Sequence, residues 1–160
     1  SLAILFREEG LEGRTMFYAT DINAGALAKA EAGIYDLQRL ALFTRNHSLA
    51  GGKGSLSDYY TAAYGAARLD KTLRRRTVFS DHSLVSDAVF AEVHLVSCRN
   101  VLIYFDRPLQ DRAIGLFKEA LVRKGFLGVG ARESLRFNTH VEAFAEILPG
   151  ARIYQKRGAT

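Results

Sequence analysis

The stretch "LVSCRNVLIYF", residues 95–105, decides how the rest of the chain is read. It begins as an apolar, β-prone run, yet Cys98, Arg99 and Asn100 interrupt it. An unpaired arginine inside a core strand carries a large desolvation cost. The interruption is therefore better placed at a strand end, where the chain emerges from a sheet. In open α/β sheets that is also where ligands sit, beyond the carboxyl ends of the strands. The plainer reading is that Arg99 pairs with an acid at a sheet edge. The pattern alone leaves both open.

Working outward, "VHLVSCRN" (93–100) is a strand, and "TVFSDHSL" (77–84) is another that leads into a loop. After "CRNVLIYF" comes "FDRPLQDRAIGLFKEALVRKGF". Asp106 is placed to cap a helix, Pro108 sits at its first turn, apolar residues recur at helical spacing, and Gly125 marks a stop. "FLGVG" (126–130) reads as a strand, "HVEAFAEIL" (140–148) as a helix and "ARIYQKR" (151–157) as a closing strand. Toward the start, "TMFYATDIN" (15–23) is a strand and "AGALAKAEAGIY" (24–35) an alanine-rich helix with its stop at Gly33. Strands alternating with helices indicate a doubly wound α/β domain with parallel strands and crossover helices.

Residues 36–76 break this rhythm. They hold a glycine cluster, the tyrosines Tyr59, Tyr60 and Tyr64, and the basic run Arg74–Arg76. The reading is a mobile tip at 50–54, a short helix near 55–63 and a strand near 66–70, together an inserted small subdomain. The regular α/β domain then comprises 1–35 and 77–160. The opening "SLAILFREEGL" reads as the back half of a helix with a glycine stop and no capped beginning, as if the numbering opened inside an element.

Composition sets outer limits. The 160 residues are 48% hydrophobic and 24% charged, ordinary for a globular domain. No apolar run approaches roughly 18 residues, so membrane insertion is not expected. Cys98 is the one cysteine, so no disulfide forms within these residues, which suits a reducing, cytoplasmic setting. A net charge of +5 favours an acidic partner, although a solvated basic surface explains it equally well. The four histidines show no metal-ligand spacing, and "GGKGS" (51–55) lacks the context of a phosphate loop. Asp21 ends the first strand ahead of a helix. An acid there either binds the two hydroxyls of a ribose or caps the helix.

Several segments together resemble one family. "CRNVLIYFD" (98–106), preceded by "FSDHSL" (79–84) and "VFAEVHLVS" (89–97), is similar to the CheR-type chemotaxis receptor methyltransferases. "ATDIN" followed by "ALAKAEAGIY" agrees, and "KGFLGVGARESL" (124–135) resembles the family's late strand and turn. The resemblance implies a class I, Rossmann-like fold and S-adenosylmethionine as cofactor, with S-adenosylhomocysteine as product. It implies esterification of glutamate side chains on the cytoplasmic part of methyl-accepting chemotaxis receptors, with no nucleic acid involved. By similarity Asp21 would bind the cofactor ribose, and Ser83 and Leu84 would lie beside the adenine. Cys98 and Arg99 would line the cofactor crevice, with Arg99 also close to the reacting centre. Tyr104 would sit near the transferable methyl. The 36–76 insertion would contain the family's small β-subdomain, which in some members contacts the receptor.

Two departures from the family pattern stand out. Ser83 occupies a position usually held by asparagine. The family's glycine-rich cofactor loop, the strand before it and an N-terminal helical domain would all precede Ser1, so these residues alone are expected to bind the cofactor poorly. Two other readings remain open: a catalytically silent docking module built on a methyltransferase fold, and a class I methyltransferase with a different substrate.

Overall fold

The structure, a computed structural model, describes residues 1–158. The chain divides into two compact units, Ser1–His82 and a second beginning at Ser83.

In the first unit, α1 (Leu2–Glu8) runs to a turn closed by Gly10 at φ 70°. Strand β1 (Phe17–Asp21) follows, then α2 (Ala24–Ala32). Asn23 caps α2, its Oδ1 accepting from the Ala26 amide at 3.1 Å. Gly33 ends the helix in the left-handed region, at φ 64°, which glycine adopts without the penalty a Cβ brings. Strand β1 lies parallel to β5 (Thr77–Asp81), in register from Phe17 opposite Thr77 to Asp21 opposite Asp81.

Between them stands a separate three-stranded antiparallel sheet in the order β2 (Ile34–Asp36), β4 (Ala66–Leu69), β3 (Tyr60–Ala63). Tyr64 at φ 50° and Gly65 at φ 75° form the two-residue turn joining β3 to β4. Two successive left-handed residues match the twist of a tight hairpin. The helix expected near 55–63 is therefore replaced by a single 3-10 turn, Leu56–Tyr59, and a strand. Ser55 and Asp58 form a reciprocal cap that starts the turn, and the hairpin pairing ends it. A helix that was not expected, α3 (Leu40–Leu49), precedes it.

Helices α1 and α3 are pinned by Glu8, whose side chain is 5% exposed. It accepts from the His47 ring at 2.8 Å, the Tyr59 hydroxyl at 3.0 Å and the Lys53 amide at 3.2 Å. Burial alone would raise the Glu8 pKa, but these donors outweigh it and hold it below the ordinary value. A carboxylate depressed in the folded state stabilises the fold above its unfolded pKa, and the benefit is lost as pH falls through the folded one. The first unit should therefore melt at a lower temperature at pH 3.5 than at pH 7. Glu8→Gln should narrow that difference in thermal scans; an unchanged difference would show that Glu8 is not the coupled group.

The second unit holds a four-stranded sheet in the order β6 (Val93–Cys98), β7 (Leu121–Val129), β9 (Ile153–Lys156), β8 (Phe144–Leu148). Strands β6 and β7 are parallel and joined by α4 (Arg107–Ala120), whereas β9 runs antiparallel to both of its neighbours. Asp106 caps α4 through Oδ1, which accepts from Leu109 at 3.0 Å. The helix stops at Ala120, five residues before the expected glycine. Leu121, 1% exposed, is already paired with Val93 in the sheet, and that pairing overrides helix propensity. The helix expected at 140–148 is corrected to a 3-10 turn, Val141–Ala143, followed by β8. Pairing with β9, from Phe144 opposite Lys156 to Leu148 opposite Ile153, sets the extended conformation. The core of this unit gathers Ile114 and Phe117 from α4 with Leu127, Val129, Leu135 and Phe144.

Candidate functional site

Asp21 belongs to the first unit. Ser83, Leu84, Cys98, Arg99 and Tyr104 belong to the second.

Asp21 is the last residue of β1 and is exposed. Its Oδ1 accepts from the Asn23 amide at 2.9 Å, an Asx turn that leads the chain into α2. Asn23, not Asp21, is thus the helix cap, and Oδ2 meets no donor among the described residues. Directly across the parallel pair stands Asp81, also exposed. The carboxyl end of this strand pair therefore carries two acids side by side. The sequence held a signal for the second, since "YATD" and "FSD" end alike, but only the register brings them together.

The basic run lies at the other end of these strands, where the Phe17 amide donates to the Arg76 carbonyl. Arg74 turns inward beneath Gly33 and toward the Leu69 carbonyl. Arg75 and Arg76 line a cleft of about 240 Å³ with Arg7, Glu12, Gly13 and Thr72. Arg7 there is already committed to Glu12 and Thr72.

In the second unit, β6 ends at Cys98 and the interruption in "LVSCRN" falls just beyond it. Arg99 is exposed and not buried mid-strand; its Nη1 donates to the Val129 carbonyl at the end of β7, 3.0 Å away. Asn100 follows in the left-handed region at φ 60°, and a short 3-10 turn, Leu102–Tyr104, presents the Tyr104 side chain to solvent at 80% exposure. Arg99 and Tyr104 thus stand on one short loop at a parallel strand's carboxyl end, where charged and phenolic groups can reach a ligand.

The Cys98 side chain points the other way, into the core with Leu102 and Val129. Burial, reinforced by the charge of Glu133, pushes its thiol up to about 12. A thiol held protonated is neither nucleophile nor metal ligand. At pH 8 alkylation of Cys98 should run about a hundredfold or more slower in the folded than in the unfolded protein. Equal rates by mass spectrometry would place the thiol in solvent. Ser83 opens a turn in which its Oγ accepts from the Val85 and Ser86 amides at 3.2 and 3.4 Å, while its own amide donates to Asp87. With its lone pairs so used, the hydroxyl is left chiefly as a donor. Leu84 is half-buried against the core cluster.

The residue that organises this loop is Glu133, 4% exposed and, taken as a whole residue, the one buried charged residue among those described. Its Oε1 accepts from the Val101 amide at 2.8 Å and the Ile103 amide at 3.3 Å. Its Oε2 accepts from the Asn100 amide at 3.0 Å and from the Gly130 amide. One carboxylate thereby satisfies three backbone donors that the sharp turn after β6 leaves without ladder partners, and a fourth, Gly130, just past the end of β7. Nothing in "GARESL" distinguishes this glutamate from a solvated one, because glutamate is rarely buried.

Comparison with known proteins gives the family. The Pseudomonas putida protein Cher3 is 51% identical over 156 residues, which cover 98% of this chain and 57% of that protein. A chemotaxis protein methyltransferase of Klebsiella aerogenes is 31% identical over 153 residues, 92% of this chain and 46% of its own length. Another, of Vibrio anguillarum, is 30% identical over 135 residues, 81% and 45% respectively. The chain thus spans about half the length of these relatives. Its mixed α/β architecture is that of a class I methyltransferase, and residues 1–149 match the S-adenosylmethionine-binding domain of the CheR methyltransferases, the family to which this chain belongs.

Proposed function

We propose that this protein transfers the methyl group of S-adenosylmethionine to glutamate side chains of chemoreceptor cytoplasmic domains. The observation that carries the reading is the loop after β6. It exposes a guanidinium and a phenol five residues apart, on a backbone fastened from below by a buried carboxylate.

The residues fit the cofactor's chemistry. Asp21 offers an uncommitted carboxylate oxygen at a strand end, suited to the vicinal hydroxyls of a ribose. Ser83 supplies a donor and Leu84 an apolar surface for the base. Cys98 turns its sulfur into the core, so only its backbone is left to meet a ligand. When bound, S-adenosylmethionine supplies an electrophilic methyl on a sulfonium.

The protein's task is then alignment. A glutamate carboxylate, with a pKa of about 4.3, is already a nucleophile at neutral pH, so no general base is required. Arg99 can hold that carboxylate with its fork of donors, and Tyr104 can fix its second oxygen by a hydrogen bond. Holding the reacting groups at near-attack distance is worth several orders of magnitude in rate. The three-stranded sheet, which begins at Ile34 and has its β3–β4 hairpin inside the 36–76 insertion, gives the receptor a second surface to contact.

The test is to incubate the full-length protein with methyl-labelled cofactor and receptor cytoplasmic fragments. The expected product is a base-labile methyl ester on glutamate. Base-stable label would indicate a different substrate, and cofactor binding without label a docking module.

A further inference from the structure

We propose that Glu133 is a positioning residue for methyl transfer: through the Asn100, Val101 and Ile103 amides it fixes the segment that carries Arg99 and Tyr104. The inference rests on the function proposed above, but its structural half stands on geometry alone. Each carboxylate oxygen serves two backbone donors, and three of those four donors lie between Arg99 and Tyr104. Without them, Asn100 in its left-handed conformation and the turn at Leu102–Tyr104 would have no common anchor. Gly130 completes the device by bringing its own amide to Oε2. A Cβ there would stand 2.7 Å from that same oxygen and 2.9 Å from the Asn100 nitrogen. The carboxylate makes no hydrogen bond to Arg99 or Tyr104; its hydrogen bonds reach them through the backbone.

Glutamine at 133 keeps the size but turns one acceptor into an NH2 group that faces two N–H donors, a clash of like dipoles. Glu133→Gln in the full-length protein should speed deuterium uptake at the amides of 100, 101 and 103 by about tenfold or more while those of β7 stay protected. The kcat for receptor methylation should fall by about tenfold to a hundredfold, the scale expected when reacting groups are displaced by an ångström. The KM for receptor should change much less.

Glu133→Asp keeps the charge but draws back by one methylene. It should give an intermediate kcat and intermediate uptake, and it carries the test if the glutamine variant does not fold. A role in stability alone predicts a lower melting temperature with unchanged kcat per folded molecule, and that result overturns the proposal. Unchanged uptake at 100–103 overturns it as well. If the wild-type protein transfers no methyl group, the function proposed above fails instead, and the anchoring of the loop is then judged by deuterium uptake alone.

Discussion

Gly130→Ala is expected to lower the melting temperature of the protein by about 10 °C, the larger of the two effects argued here. The added Cβ would lie 2.6 Å from Asn100 Oδ1, 2.7 Å from Glu133 Oε2 and 2.9 Å from the Asn100 backbone nitrogen. A flexible side-chain end could retreat from such an approach, but a backbone nitrogen already bonded to a buried carboxylate cannot. Relief requires either β7 or the loop after β6 to move, at the expense of the amide bonds that Glu133 receives. Overpacking costs about 1–3 kcal/mol, and a lost hydrogen bond to a charged group about 1.5–3 kcal/mol. A net loss of about 3 kcal/mol gives the stated shift for a chain of this size. The matched control is Gly128→Ala, two residues earlier and inside β7, which ends at Val129. There a Cβ would meet nothing nearer than the Val96 carbonyl at 4.0 Å, so its melting temperature should fall by about 3 °C at most. Equal losses at the two positions would mean that strand propensity, not the crowding around Glu133, decides the outcome.

The contrast between these two glycines shows where reading the sequence stops. In "FLGVGARESL" both look like strand or turn glycines, and only a structure reveals that one is walled in by a carboxylate and an amide. What was legible had local causes. Asp106 and Gly33 mark helix ends because a cap oxygen and a left-handed residue act within a few positions of themselves. The end of β6 was legible because charge and amide groups cannot continue a buried strand, and Arg99 does fall just past Cys98. What was not legible depended on partners distant in sequence. Phe144, Ile147 and Leu148 suit a helix period as well as an edge strand, and pairing with β9 resolved the matter. Leu121 leaves α4 for the sheet because Val93 is opposite it. Asp21 was recognisable as a strand-end acid, but its Asx turn and its neighbour Asp81 follow from register. The resemblance named Cys98 as lining a crevice, while the structure turns its sulfur into the core. Glu133, which binds three amides of the loop bearing Arg99 and Tyr104, lay within a quoted motif without any sign of its burial.

Asp21→Ala in the full-length protein is expected to weaken S-adenosylmethionine binding by about tenfold or more. A carboxylate accepting from ribose hydroxyls makes charge-assisted bonds of about 1.5–3 kcal/mol each, and about 1.4 kcal/mol corresponds to a factor of ten in affinity. Alanine also removes the Oδ1 bond to the Asn23 amide, and with it the turn that directs the chain into α2. That second loss could imitate the first by loosening the strand end. Asp21→Asn separates the two. An asparagine oxygen can still accept from the Asn23 amide, since Asx turns take either side chain, so the turn and the Asn23 cap persist. The negative charge is lost, and one of the two positions facing the ligand becomes a donor. If Asp21 holds the ribose, asparagine should lose about as much affinity as alanine while melting at the wild-type temperature. If Asp21 serves only the turn, asparagine should bind like wild type and alanine alone should be impaired. Calorimetric titration of the three proteins with S-adenosylmethionine, alongside thermal melts, distinguishes these outcomes, and wild-type affinity in the asparagine variant would remove Asp21 from the cofactor site.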